Sequence, residues 1–136
     1  MSQKIVYTGK THTTGGRDGA SRSSDGELDI ALSPPGSNRA GTNPEQLFAA
    51  GWSACFLGAI GKAASEHNLQ LPADAAIDAE VDLALDDGGF ALIARLNVSL
   101  PGIDRATAEV LTARAHEICP YSKATRGKIA VEINID

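Results

Sequence analysis

The chain has 136 residues, of which 43% are hydrophobic and 21% are charged, and its formal net charge at pH 7 is -5. This length allows one hydrophobic core of ordinary size but is short for two, so we expect residues 1–136 to form a single domain. The composition is typical of a globular protein and excludes a disordered or collagen-like chain. The acidic balance argues against a nucleic-acid partner, because phosphate binding needs clustered Lys and Arg side chains.

The N-terminal sequence MSQKIVYTGK lacks the apolar stretch of a signal peptide. The uncharged run LFAAGWSACFLGAIG is shorter than the roughly 20 residues that a bilayer requires. We therefore expect a cytoplasmic protein with no membrane partner. In a reducing compartment, Cys55 and Cys119 are not expected to form a permanent structural disulfide, so any pairing between them should be transient and chemical.

The first third of the chain predicts extended segments separated by turns. These segments are KIVYT, the glycine-rich TGGRDGASRSSDG, and ELDIAL, in which Leu28, Ile30 and Leu32 alternate with polar residues. Asp25-Gly26 is a strong hairpin signal. The following SPPGSNRAGT is rich in Pro, Gly and Ser and predicts a loop.

A helix is predicted to start at NPEQLF and to run to about His67. Asn43 can cap its free amides, Pro44 suits its first position, and Glu45 favours the positive end of the helix dipole. Its large apolar residues point in most directions, which predicts a central helix that is buried on all sides. These residues are Phe48, Trp52, Phe56, Leu57 and Ile60.

Small residues form a narrow stripe along this helix. They are Gly51, Ala54, Gly58, Gly61 and Ser65. The three glycines cost the helix roughly 3 kcal/mol in propensity, so we expect something to pack very closely on the stripe. Either backbone of the same chain crosses it, or a second copy of the helix packs there across a dimer axis. The sequence leaves both explanations open.

The second half predicts a hairpin, a helix and a final strand. AIDAEVDLAL and FALIARLNVSL alternate apolar and polar residues around a turn at Asp87 to Gly89, which predicts a hairpin with one solvated face. Asp104 caps the helix RATAEVLTARAHEIC, Pro120 ends it, and IAVEINI follows as a strand. The fold class is therefore α+β, with an antiparallel sheet packed on two helices.

The two cysteines occupy the two predicted helices and can meet if these helices pack together. Taken alone, Cys55 would be read as a small hydrophobic core residue. Cys119 lies in the last turn of its helix in a polar neighbourhood, where the negative end of the dipole opposes a thiolate. Cys119 therefore suits the role of a second, resolving thiol, and Cys55 would need a nearby cation to become a nucleophile.

Arg17, between glycines in TGGRDG, is the candidate for this cation, because a sharp turn there can present its side chain inward. The alternative is an ordinary solvated loop arginine. Glu45 is the candidate carboxylate that holds the arginine in place. Ten residues of helix separate Glu45 from Cys55 by about 15 Å, so we expect Arg17 and Glu45 to reach the site from the other subunit of a dimer.

The motifs TNPEQLFAAGWSACF, HEICPYSKATRG and TGGRDG resemble those of the organic hydroperoxide resistance proteins, a branch of the superfamily named for the osmotically inducible protein C. The resemblance covers essentially the whole chain. It implies an OsmC-like α+β fold in an intertwined homodimer, with two sites at the interface. It also implies a thiol-dependent peroxidase that reduces organic hydroperoxides, including fatty-acid hydroperoxides, to alcohols.

The resemblance also implies a role for each matched residue. Cys55 is then the peroxidatic cysteine, Cys119 the resolving cysteine, and Arg17 and Glu45 the pair that activates the thiolate. No metal or bound cofactor is implied. The electron donor is expected to be the dihydrolipoamide of a lipoylated protein, which dihydrolipoamide dehydrogenase recharges.

Two positions depart from the usual pattern of this family. Trp52 stands where a tyrosine is usual, and Lys123 stands where an asparagine is usual. Phe48, Trp52 and Phe56 could line an apolar channel that favours alkyl hydroperoxides over hydrogen peroxide, although most of them could simply be core residues. Trp52 could narrow such a channel.

Other readings of these features remain open. The chain could belong to the sister branch of broader peroxide and donor preference, or be a redox-sensing module that does not turn over. His116 shares a helix face with Cys119 but is interpreted as an ordinary, partly exposed histidine. The three histidines have no metal-ligand spacing with the cysteines, so no metal site is expected.

Overall fold

A computed structural model describes residues 2–136 of the chain. It contains two compact units, one ending at Pro44 and one formed by Glu45–Asp136. The first unit is a small all-antiparallel sheet. The second contains the helices, a second sheet and both cysteines.

The N-terminal unit is a three-stranded sheet of order β1-β2-β3. Its strands are β1 (Thr11–Thr14), β2 (Ala20–Ser23) and β3 (Asp29–Ala31). The predicted Asp25-Gly26 turn is confirmed, because it joins β2 to β3 and Gly26 adopts a left-handed φ of 79°. The glycine-rich segment itself contains β2, whereas KIVYT pairs with no strand of the described chain.

The predicted first helix is confirmed as α1 (Pro44–Glu66). Its Trp52, Phe56 and Ile60 are fully buried. The prediction that α1 is buried on all sides is wrong for the single chain, because Ala54 and Gly58 are exposed. The large apolar side chains face the core, and the face built of small residues stays open. In length and composition α1 could also cross a membrane, but here it is the core helix of its unit.

The predicted second hairpin is confirmed as β4 (Ala76–Asp86) and β5 (Gly89–Ser99). The last strand is β6 (Ala130–Ile135), which pairs with β5 in parallel. The expectation of purely antiparallel sheets is therefore wrong. Between β5 and β6 the chain crosses through helical segments, and such a crossover returns the chain in the same direction.

The second unit has three helices, not two. The helix α2 (Arg105–Ile118) is capped by the side chain of Asp104, as predicted. Pro120 ends α2 and is also the first residue of a short helix that the prediction lacked, α3 (Pro120–Thr125). Proline blocks a continuing helix but suits the first position of a new one.

The core of the second unit joins α1, β5 and α2. Its fully or almost fully buried apolar residues include Trp52, Phe56, Ile60, Ala94, Leu96, Val98, Ala108, Leu111 and Ala115. Cys119 belongs to the same cluster and is fully buried. The helix packing therefore brings the end of α2 against the middle of α1.

Candidate active site

The sulfur atoms of Cys55 and Cys119 lie 3.6 Å apart. Cys55 comes from the middle of α1, and Cys119 is the single residue between α2 and α3. Both are free thiols, since a disulfide would bring the atoms to about 2.05 Å. Cys55 is only partly buried, whereas Cys119 is fully buried, so Cys55 is the sulfur that an incoming molecule can reach.

Backbone hydrogen bonds hold Cys119 on both sides. Its N–H donates to the carbonyl of Ala115 at 2.8 Å, and its own carbonyl accepts from the N–H of Lys123 at 2.9 Å. The negative end of the α2 dipole is expected to disfavour a thiolate at Cys119. Cys119 also directly precedes the N-terminus of α3, whose positive end acts in the opposite direction. The side chain of Lys123 is exposed, so this departure from the family pattern lies on the surface.

The contacts of Cys55 within its unit favour the neutral thiol. Burial raises the pKa of Cys55, and the neighbouring Cys119 sulfur raises this pKa further, while a hydrogen bond from the backbone of Tyr121 lowers it. Burial acts in this direction because a thiolate loses hydration that a thiol does not need. A reactive thiolate at Cys55 therefore needs a cation in addition to these groups.

The two predicted activating residues occupy defined places in the chain. Arg17 lies in a turn of 3-10 helix (Gly16–Asp18), exposed and next to Gly15 and Gly16, both of which have positive φ. Glu45 lies in the first turn of α1 and is partly buried. Since α1 is continuous, Glu45 and Cys55 of one chain are about 15 Å apart along its axis and do not meet. The activating roles of Arg17 and Glu45 stay predictions.

The aromatic residues near the cysteines differ in exposure. Trp52 and Phe56 have no exposed surface and are core residues of this chain. Phe48 is partly buried, and its ring centre lies 5.5 Å from that of Trp52 and 6.2 Å from that of Tyr121. Tyr121 is 37% exposed. Phe48 and Tyr121 are therefore the aromatic rings of this cluster that a substrate could touch.

The small-residue stripe of α1 is covered in one place and open in another. A Cβ atom on Gly51 would lie 2.6 Å from the hydroxyl oxygen of Tyr121, so this glycine makes room for that ring. A Cβ atom on Gly58 would meet no atom of the described chain within 4 Å. The expected close packing is present at Gly51, where it comes from a side chain and not from backbone.

A polar network centred on the buried Ser122 hydroxyl joins the three helices of this unit, and the sequence reasoning did not find it. The indole N–H of Trp52 donates to the hydroxyl oxygen of Ser122 at 3.3 Å, and Nδ1 of His116 lies 3.0 Å from the same oxygen. Burial lowers the pKa of His116, and the positive charge of Arg126 lowers it further. Ser122 could not be singled out, because its role depends on three helices meeting.

Comparisons with known proteins agree with this architecture. The family model described as OsmC-like protein matches residues 35–134. The organic hydroperoxide resistance protein of Xanthomonas axonopodis pv. citri is 44% identical over 98% of this chain and 96% of its own length. The chain belongs to the OsmC-like family, in its organic hydroperoxide resistance branch.

Solved structures of this branch have the same fold. The crystal structure of the organic hydroperoxide resistance protein OhrB of Bacillus subtilis has a TM-score of 0.91 at 43% identity, covering 97% of this chain and all of that one (100%). A second member, from Legionella pneumophila, has a TM-score of 0.90 at 39% identity, covering 98% of this chain and 99% of its own. These similarities extend over both units.

Proposed function

We propose that this member of the organic hydroperoxide resistance branch is a cysteine-based peroxidase that reduces organic hydroperoxides to alcohols. The observation that carries the proposal is the 3.6 Å separation between a partly exposed sulfur, Cys55, and a fully buried one, Cys119. A hydroperoxide can reach the first sulfur, and the second is close enough to complete a disulfide. The names of the relatives support organic hydroperoxides as the substrate class.

The proposed reaction has two steps. The Cys55 thiolate attacks the distal peroxide oxygen, the O–O bond breaks, and the alkoxide leaves with a proton as the alcohol. Cys55 is then a sulfenic acid. The Cys119 sulfur attacks it, so that the S–S bond forms, the S–O bond breaks, and the hydroxyl group leaves as water with the thiol proton.

Arg17 is proposed to supply the cation that Cys55 lacks among its neighbours in the second unit. Its guanidinium would stabilise the thiolate and the charge that develops on the leaving oxygen. Glu45 would hold the guanidinium through a two-point ion pair. Because about 15 Å of helix separates Glu45 from Cys55 in one chain, we assign Glu45 and Arg17 to the partner subunit of a homodimer.

Two open surfaces support such a homodimer. One is the small-residue face of α1 around Gly58. The other is the end of the β4–β5 hairpin beyond the pairing with β6, where Leu83, Leu85 and Phe90 are 45%, 70% and 71% exposed. Exposed apolar side chains clustered in this way are typical of a surface that another chain covers.

We propose dihydrolipoamide on a lipoylated protein as the electron donor, with dihydrolipoamide dehydrogenase completing the cycle in the cytoplasm. A dithiol can attack the Cys55–Cys119 disulfide and then close on itself, which releases both cysteines as thiols. This chemistry requires no cofactor bound to the protein.

Steady-state turnover tests the proposal. We would measure the consumption of tert-butyl hydroperoxide and of linoleic acid hydroperoxide with dihydrolipoamide as the reductant. Wild type should turn over many times, Cys55→Ser should be inactive, and Cys119→Ser should react once and then become over-oxidised. A wild-type protein that oxidises once per thiol pair and stops would identify a redox sensor and contradict the proposal.

A further inference from the structure

The hydrogen bonds of Ser122 connect the helical turns that carry both cysteines. Trp52 stands three residues before Cys55 on α1, His116 stands three residues before Cys119 on α2, and Ser122 follows Cys119 by three residues on α3. The Ser122 hydroxyl oxygen contacts Trp52 Nε1 at 3.3 Å and His116 Nδ1 at 3.0 Å. One buried hydroxyl therefore ties the turn before Cys55 to the turns on both sides of Cys119.

The chemistry of the indole determines the direction of one of these two bonds. An indole N–H can only donate, so Trp52 uses an acceptor position of the Ser122 oxygen. Nδ1 of His116 accepts the Ser122 hydroxyl proton in one neutral tautomer and donates to the Ser122 oxygen in the other, so this bond forms with either tautomer. Ser122 has no exposed surface, so water cannot replace either bond without a rearrangement.

The distance that remains between the sulfur atoms gives this network a chemical consequence. A disulfide of about 2.05 Å has to form from sulfur atoms 3.6 Å apart, so Cys119 needs to approach by only about 1.5 Å. The rate of such a step depends steeply on how well the two atoms are aligned beforehand. A small displacement of α3 or of the last turn of α2 would change this alignment directly.

We infer that Ser122 is a positioning residue which, through Trp52 and His116, holds Cys119 in line with Cys55 and so sets how fast oxidised Cys55 is resolved. This inference rests on the proposed peroxidase function. Fast resolution converts the Cys55 sulfenic acid to the disulfide with loss of water. Slow resolution lets a second hydroperoxide transfer its oxygen to the sulfenic acid, which gives a sulfinic acid and a second alcohol.

The test is the partition of Cys55 between disulfide and sulfinic acid, measured by mass spectrometry over a series of hydroperoxide concentrations. Ser122→Ala should lower the ratio of disulfide to sulfinic acid roughly tenfold, which corresponds to about 1.4 kcal/mol. The rate of the first oxidation of Cys55 should stay as in wild type, because among the described residues the Ser122 hydroxyl bonds to Trp52 and His116 and not to either sulfur. An unchanged ratio would overturn the inference.

Thr125→Val is the matched control. Thr125 is another buried residue of α3, and among the described residues its hydroxyl donates to the backbone carbonyls of Tyr121 and Ser122 and to no side chain. It should cost stability without changing the partition ratio. An equal change in both variants would show a general loosening of α3 and would overturn the specific role of Ser122.

Variants at His116 keep the inference testable if Ser122→Ala does not fold. His116→Leu removes the nitrogen that Ser122 contacts and should lower the ratio as Ser122→Ala does. His116→Asn keeps a side-chain hydrogen-bonding group near the position of Nδ1, so its ratio of disulfide to sulfinic acid should be close to that of wild type. Equal ratios in the two variants would contradict the role of the hydrogen bond.

Diamide separates failure of this inference from failure of the proposed function. It oxidises a thiol pair without any peroxide, since one thiol adds to its N=N bond and the second displaces the hydrazine as the disulfide forms. Slow closure of the Cys55–Cys119 disulfide in Ser122→Ala would support the positioning role even if hydroperoxides were not substrates. Closure at the wild-type rate would overturn the positioning role even if hydroperoxides were substrates.

Discussion

Replacing Arg17 by alanine should leave Cys55 as a protonated, unreactive thiol at neutral pH. In the second unit, burial and the neighbouring Cys119 sulfur both raise the pKa of Cys55 above its ordinary range. An ordinary thiol is already only about 3% ionised at pH 7. The loss of an arginine that keeps Cys55 fully ionised should therefore reduce the thiolate population by at least roughly thirtyfold.

The assay is the rate of Cys55 alkylation by iodoacetamide from pH 5 to 10, followed by mass spectrometry of the peptide that contains Cys55. Wild type should react at a rate that is nearly constant above neutrality. Arg17→Ala should be at least roughly thirtyfold slower at pH 7 and should accelerate as the pH rises. Arg22→Ala, which removes an arginine from β2 of the same unit, is the matched control and should behave as wild type. A wild-type rate that still rises steeply above about pH 8.5, as an ordinary thiol would give, would refute the reasoning.

Three further predictions follow from individual contacts. In the single chain, Gly58→Ala would stabilise α1 by about 1 kcal/mol, because the new Cβ would meet no atom of the described residues within 4 Å. We expect the substitution instead to weaken the proposed dimer in sedimentation equilibrium, and a net stabilisation would contradict packing of a second copy on this face. Gly51→Ala should not raise the free energy of unfolding in urea by the same amount of about 1 kcal/mol, because its Cβ would lie 2.6 Å from the Tyr121 hydroxyl and would displace that ring. A full gain would show that the ring moves freely. Burial and then the charge of Arg126 lower the pKa of His116 in the folded protein. As the pH falls, the imidazole of His116 is therefore protonated in the unfolded chain before it is protonated in the folded one, and the free energy of unfolding should decline below about pH 6.5. The decline should be smaller in His116→Asn, and equal slopes in the two proteins would contradict the assignment.

Local signals account for the elements that the sequence predicted correctly. The cap at Asp104, the proline at the start of α1 and the Asp-Gly turn between β2 and β3 each act within a few residues. The alternation of β4 and β5 likewise depends on neighbours that the turn brings directly opposite. These features could be recognised in the sequence because the residues that determine them are close together in the chain.

The direction of β6 and the existence of α3 could not be recognised in this way. An alternating strand such as IAVEINI carries the same pattern whether its neighbour runs parallel or antiparallel. Pro120 can end one helix and begin another, and the prediction used only the first property. In both cases the outcome depends on the path of the chain through space.

The candidate site, like the fold, was recognisable only in part from the sequence. The sequence by itself determined the helix that carries Cys55, the family to which the chain belongs and the two cysteines on which any thiol chemistry depends. Only the tertiary structure decided that the two sulfur atoms lie 3.6 Å apart, that Cys119 is the buried one, and that Ser122 joins Trp52 to His116. Cys55 and Cys119 are 64 residues apart in the chain, and a distance of this kind results from the packing of α1 against α2 and α3, which no short stretch of residues encodes.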